Sequence, residues 1–426
     1  MATGQITGNS IQILQAAALF TAHTRRKSIL MALTGKFPKE ADAAGLLRRQ
    51  TSPNMPIVVN NDLTSQQGGL VRTEFVQPIT GYPIMGSELA AGTGSAQEFT
   101  TLDFRIDQSR KVIDAGSVMN QQKSANNLLN LANAHAMGYF AILEDQARLV
   151  HLAGARGWHN NGEWLLPTND HSRFSKIMIN PVKAPSRNRH FVVNANGTGI
   201  TDFVGGFGSL TSASSMSLAV LDAIRATLAE MAYAPAKIIF QDDPQSTDNP
   251  LRVLLVSPSV MRDLQQANDQ RIRTYQSYAM SRGNKMSDNV LFTGGSILFG
   301  NILVVEMERF VRFLRLSNLN YCADYATEVE TTWAVDGTSV PAGYALDRSI
   351  LLGAQSLAVA YGGSKTNGQT FFLKEQKTDF DDKTEVAVGM INGMTKVRFN
   401  INMGGTVGEQ ITDLGATIID CVTKIA

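Results

Sequence analysis

The 426-residue sequence predicts an α+β fold, with helices and strands grouped in separate runs rather than strictly alternating. Three observations carry that reading. A strand-like segment puts Leu102, Phe104 and Ile106 on one face and Asp103, Arg105 and Asp107 on the other, the period-two signature of a strand. Residues 118–154 then run without proline, their apolar positions three and four apart, the spacing of one helix face. The final third, around "TEVAVGMINGMTKVRFNI", returns to alternation.

Composition sets the outer bounds. At 43% hydrophobic and 18% charged with a formal net charge of +1, the chain is globular. It is neither disordered nor basic enough overall for a sequence-reading DNA binder. Its length exceeds the roughly 250–300 residues at which one core stops growing, which predicts two or more lobes. Cys322 and Cys421 lie about a hundred positions apart, which is no disulfide framework and suits a reducing compartment. The opening "MATGQITGNS" lacks the basic and apolar regions of a secretory signal, and no apolar run approaches the ~20 residues of a membrane span. A soluble chain that folds in a cytoplasm, with no membrane partner, is the expectation.

Along the chain, residues 1–60 hold a short apolar helix, "IQILQAAALF", followed by basic and polar text that reads as an extended arm. Seven Lys/Arg stand against Glu40 and Asp42 in residues 1–50, a balance of +5. Arg25, Arg26 and Lys27 are the candidates there for contact with nucleic acid or an acidic neighbour; a solvated helix face is the plainer alternative. Residues 61–117 read as a hairpin whose strands, "LVRTEFVQPI" and "EFTTLDFRID", flank "GYPIMGSELAAGTGSAQ". That tip is longer than the 12–15 residues an ordinary loop reaches, so a lid, a phosphate loop and a reaching arm all come into question.

The helix after it carries Leu129, Ala132, Ala136, Phe140, Leu143 and Ala147 on one face and meets stop signals at Gly154 and Gly157. It would span roughly 50 Å at ~1.5 Å per residue. Residues 155–212 are loop-rich, with Trp158 and Trp164 as either interface anchors or local packing. A second helix places Leu221, Ile224, Leu228 and Met231 together and ends before Pro235. "RVLLV" is a strand, after which Ser257 caps a helix and Pro258 fits its first turn. "SILFGNILVVEME" is a hairpin turning at Gly300-Asn301. "ALDRSILLGAQSLAVAYGG" reads equally as strand or helix.

Catalytic patterns are weak. "GGSKTNG" at Gly362–Gly368 lacks the first glycine of a P-loop, and "QTFFLKE" beyond it reads as strand rather than helix. Gly92–Gly94 opens no helix, so the dinucleotide reading fails too. There is no G-x-S-x-G elbow, and none of His23, His135, His151, His159, His171 and His190 forms an H-x-x-x-H pair. Asp379–Asp382 reads as a charged turn flanked by Lys377 and Lys383, with a hard-cation site as the alternative. No catalytic residue, cofactor or metal is predicted.

The runs "TLDFRIDQSRKVIDAGSVMNQQKSANNLLNLA", "EDQARLVHLAGARG", "INPVKAPSRNRHFV" and "LLVSPSVMRDLQQ", in that order, resemble tailed-bacteriophage major capsid proteins of the HK97-like fold, phage-capsid-like branch. The resemblance covers roughly residues 50 to 400. It implies an N-terminal arm (1–60), an E-loop hairpin lying over a neighbouring subunit (61–117), a P domain with a long spine helix (118–200), an A domain around the local symmetry axis (201–345), and a return to the P domain with C-terminal strands (346–426). Tyr82, Met85, Glu88 and Leu89 would make the inter-subunit contacts of the E-loop tip.

By the same resemblance the chain self-assembles through hexamers and pentamers into an icosahedral shell around double-stranded DNA held non-specifically. Portal, scaffold and decoration or cement proteins would be its partners, the host bacterial cytoplasm its assembly site and the virion its destination. It would be no enzyme. Two other readings stand beside it: an encapsulin-like compartment and a soluble enzyme with a glycine-rich lid.

Overall fold

A computed structural model of the chain describes residues 28–35, 51–60, 69–76, 83–86, 99–117, 128–158, 164–231, 233–240, 243–266, 270–286, 290–292, 295–336, 340–363, 371–378, 382–402 and 408–425. Among these residues the strands form two main sheets and three two-stranded ribbons.

The larger sheet has eight strands. Its path runs Ile200–Asp202, His190–Val193, Ala416–Lys424, Tyr344–Leu352, Arg252–Val256, Ile302–Glu306, Ile297–Phe299, with Val311–Phe313 also paired to Tyr344–Leu352. Both faces are covered. Val253, Leu255, Ile350, Leu352 and Ile418 join one core, whereas Leu254, Val256, Leu351 and Ile419 join another beneath helices Leu218–Glu230 and Pro258–Gln266. A strand buried on both sides needs no polar face, which is why "RVLLV" and "ALDRSILL" show no alternation.

In the smaller sheet Ile57–Asn60 runs parallel to Leu357–Tyr361, which pairs antiparallel with the long strand Lys383–Lys396. That strand also pairs with Phe371–Thr378 and with Asp107–Ser117. The helix Leu128–Ala153, 26 residues and so about 39 Å long at ~1.5 Å each, lies against this sheet. It stops where expected: Gly154 has φ +69°, and a Cβ there would stand 2.6 Å from the Lys183 carbonyl oxygen, so glycine is required on both counts.

Several local expectations hold. Ser257 Oγ accepts from the Val260 amide at 3.3 Å, capping Pro258–Gln266, and Leu221, Ile224 and Leu228 are all buried. The 297–306 hairpin turns at Gly300, φ +58°. "ALDRSILLGAQSLAVAYGG" resolves into two strands, Tyr344–Leu352 and Leu357–Tyr361. Trp164 packs locally, with the Arg156 guanidinium 4.4 Å from its ring centre, and Trp158 donates to the Asn318 carbonyl at 3.1 Å.

Two expectations need amending. The described parts of the first sixty residues belong to the core: Leu30, Leu33, Met55, Ile57 and Val59 are buried in it. The long helix is not apolar on one face and wet on the other along its second half. Leu143 and Ala147 are only half-buried there, while Glu144, Gln146, Arg148 and His151 are fully buried. The reason is that the helix is enclosed on several sides, and its polar groups find partners inside. Arg148 donates to Glu144 at 2.5 Å and to the Tyr361 hydroxyl at 2.8 Å, and Tyr361 in turn donates to Glu144. Gln146 Oε1 accepts from the Leu165 and Leu166 amides at 2.8 and 3.2 Å.

Candidate assembly interface

The ribbon Leu70–Val76 with Phe99–Arg105 pairs in antiparallel register from Leu70↔Arg105 to Val76↔Phe99. No third strand joins it among the described residues. An isolated two-stranded ribbon is marginal in water, so the groups that hold it matter. Across its wet face Arg72 clasps Asp103 with two parallel hydrogen bonds, 2.9 and 2.8 Å, and the guanidinium holds the Asp103 carboxyl below its ordinary range. Val71 and Phe104 are buried at its base against Ala360, with Ile106 and Ala358 alongside. Leu102 is buried and Asp103, Arg105 and Asp107 are exposed, as the alternation requires.

Of the four tip residues singled out by sequence, Met85 is described, and it is 70% exposed beside Ile84. Gly86 follows at φ +64°. Tyr82, Glu88 and Leu89 lie outside the described residues, as do Arg25, Arg26 and Lys27 of the arm. An exposed methionine and isoleucine in the segment between the two strands are apolar surface offered to another surface.

Sequence reasoning missed Asn180. Its side chain accepts from the Arg105 amide at 2.8 Å and donates to the Arg105 carbonyl at 2.9 Å and to the Met394 carbonyl at 3.0 Å. No local pattern reveals this, because the partners sit 75 and 214 positions away. Asn180 follows Ile179, which has φ 63° and ψ −57°, and the Asn180 amide donates back to the Met178 carbonyl at 2.6 Å. That is the strained form of a three-residue turn, and for a β-branched residue it costs on the order of 1–3 kcal/mol.

The remaining titratable groups pair with one another inside the core. His190 lies 2.8 Å from Asp420 through Nε2, stacks on Phe203 with ring centres 3.8 Å apart, and has burial pushing its pKa down to about 4. Arg348 grips the same carboxylate. Among the described residues the buried imidazole Nδ1 has no hydrogen-bond partner, and the His190–Asp420 pair is wholly enclosed in the core. Burial raises the pKa of both cysteine thiols, Cys322 and Cys421. No cluster of three or more His, Cys, Asp or Glu side chains stands at metal-binding distance among the described residues. "GGSKTNG" and "DFDD" lie mostly outside the described residues, but the segment after the former is the strand Phe371–Thr378, as read.

A two-stranded ribbon, a long helix on a mixed sheet and a second, doubly covered sheet match the HK97-like capsid fold. Solved phage capsids share it. The capsid of Ralstonia phage GP4 superposes with a TM-score of 0.64 at 22% identity, covering 91% of this chain and 95% of its own. The cyanophage Pam1 capsid gives 0.58 at 16% identity with both chains fully covered. The head of Helicobacter pylori bacteriophage KHP40 gives 0.54 at 12% identity, covering 95% and 94%. No curated protein matches the chain by sequence. The chain belongs to the phage capsid protein family, whose model matches residues 6–425. It is a structural component of the virion, the subunit from which the capsid shell is built.

Proposed function

We propose that copies of this major capsid protein join as hexamers and pentamers into an icosahedral shell that encloses double-stranded phage DNA. The observation that carries the reading is the ribbon of Leu70–Val76 with Phe99–Arg105, which no third strand joins among the described residues, together with the exposed Ile84 and Met85 in the segment between its strands. A two-stranded ribbon with open edges gains further stability when a neighbouring subunit covers it. The E-loop is then residues 61–117, and the N-terminal arm is residues 1–60, whose described parts, 28–35 and 51–60, pack into the subunit's core. The P domain takes 118–200 with the spine helix and 346–426, and the A domain takes 201–345. The A-domain range shares its sheet with strands from both sides of it, His190–Val193 and Ala416–Lys424.

Catalysis has no part in this function. Contact with DNA is non-specific and electrostatic, Arg25, Arg26 and Lys27 being the candidates. Portal, scaffold and decoration or cement proteins complete the particle, and assembly takes place in the host bacterial cytoplasm. Expression of the chain, alone and with scaffold, followed by negative-stain microscopy should show particles tens of nanometres across. Persistent monomers and small oligomers in the presence of its assembly partners would sink the reading. Particles that retain an enzyme cargo and no nuclease-resistant DNA would turn it toward an encapsulin-like compartment. Deletion of residues 77–98 should abolish particles; a lid on a soluble enzyme would leave oligomeric state untouched.

A further inference from the structure

Among the described residues, the ribbon of Leu70–Val76 and Phe99–Arg105 runs directly into the body at the end of its second strand. After Ile106 its second strand continues as Asp107–Ser117, which is paired to Lys383–Lys396, so the ribbon's direction depends on what holds Arg105 and Ile106, with Arg398–Asn402 also alongside Phe99–Arg105. Three contacts do so. Asn180, only 5% exposed, meets both the amide and the carbonyl of Arg105, as a residue of a neighbouring strand would, and ties them to the Met394 carbonyl. Gly393 presses its backbone against the same residue: a Cβ there would fall 2.1 Å from the Arg105 carbonyl oxygen. Val71 and Phe104 close the seat from the apolar side.

Asn180 is itself placed by the long helix. Phe174 and Met178 of the short helix Phe174–Met178 are buried with Val150 and Leu166, and His151 hydrogen-bonds the Met178 backbone. The turn at Ile179 then aims the amide at Arg105. We infer that Asn180 is a positioning residue for assembly: it fixes the direction of the projecting ribbon relative to the long helix, and through it the angle at which neighbouring subunits meet. This rests on the shell reading above.

A plainer role, that Asn180 merely satisfies buried backbone groups, predicts a general loss of stability. The two are separated by hydrogen exchange and microscopy on Asn180→Ala and on Gly393→Ala, which disturbs the same seat from the opposite side. The expected result is a folded body with amide exchange at Arg105 at least tenfold faster than in the wild type. Leu254, Ile350 and Ile419 should keep their protection, and particles should be absent or irregular in diameter. Wild-type particle diameter and yield from Asn180→Ala would overturn the inference. So would protection lost evenly across both sheets in both variants. A wild-type chain that forms no particles fails the shell reading instead, and the exchange pattern at Arg105 still reports on the clamp.

Discussion

Arg348 donates to both oxygens of Asp420, at 2.9 and 2.8 Å, with neither side chain exposed at all. Its other terminal nitrogen reaches the Ala153 carbonyl at 2.9 Å, in the last turn of the long helix, where a cation is favoured by the helix dipole. One guanidinium thus joins the helix of the smaller sheet to the central strands of the larger one. Removing one partner of such a pair leaves a buried charge without compensation and costs about 3–5 kcal/mol. Arg348→Ala and Asp420→Ala should each fall in that range in denaturant melts, and the double variant should cost less than their sum.

His151 and His190 are both fully buried, and desolvation lowers each to about 4. The folded pKa lies below the unfolded value of about 6.5. Between the two, the unfolded chain binds more protons than the folded one, so stability is full above about pH 6.5 and drains away as pH falls toward 4. At about 1.4 kcal/mol per pH unit the loss is at most roughly 3 kcal/mol for each histidine. Melting temperature measured from pH 7 to 4 should drop, and His151→Gln should flatten part of that drop. A flat profile would mean that the imidazoles are not held neutral.

Lys396 and Arg398 both face Asp413, but they are not equivalent. Arg398 Nε donates to Asp413 Oδ1 at 2.7 Å, and its guanidinium also reaches the Ala184 carbonyl. Lys396 Nζ lies 2.8 Å from Oδ2, yet desolvation outweighs that attraction and pulls its pKa down to about 8. Without Lys396, Asp413 keeps Arg398 and the Ser186 amide at 3.1 Å. Lys396→Met should therefore change stability by less than about 1 kcal/mol, whereas Asp413→Ala strands two cations and should cost about 3–5 kcal/mol. Calorimetry of the two variants would check the asymmetry, and equal losses would refute it.

Those pairs mark the limit of what the sequence discloses. The cap at Ser257, the turn at Gly300, the helix stop at Gly154 and the alternation through Phe104 are local, set by residues within a turn of one another. Arg148 with Tyr361, Arg348 with Asp420 and Asn180 with Arg105 join positions 213, 72 and 75 apart. Taken singly, each of these polar side chains reads as one that points into water. Tyr344–Leu352 stayed ambiguous for a related reason: buried on both faces, it has no period to read. The ribbon was legible because it has one dry side and one wet one.

Asymmetry between the ribbon and the body gives a last test. Arg72 and Asp103 clasp each other across the exposed face, and Met85 has 70% of its surface in solvent. With most of its surface in solvent, Met85 adds little to the subunit's own packing, so Met85→Asp should leave melting temperature and central-strand amide protection unchanged. If a neighbouring subunit covers the tip, the same change places a charge in an apolar contact with no partner for it, a penalty repeated at every subunit of the shell. Particle yield in sedimentation should then collapse while the soluble subunit stays folded. Arg72→Glu sets two negative charges opposite one another in the ladder and should loosen the ribbon's own amides first, with the body again unaffected. Full particle yield from Met85→Asp would show that the tip meets no neighbour.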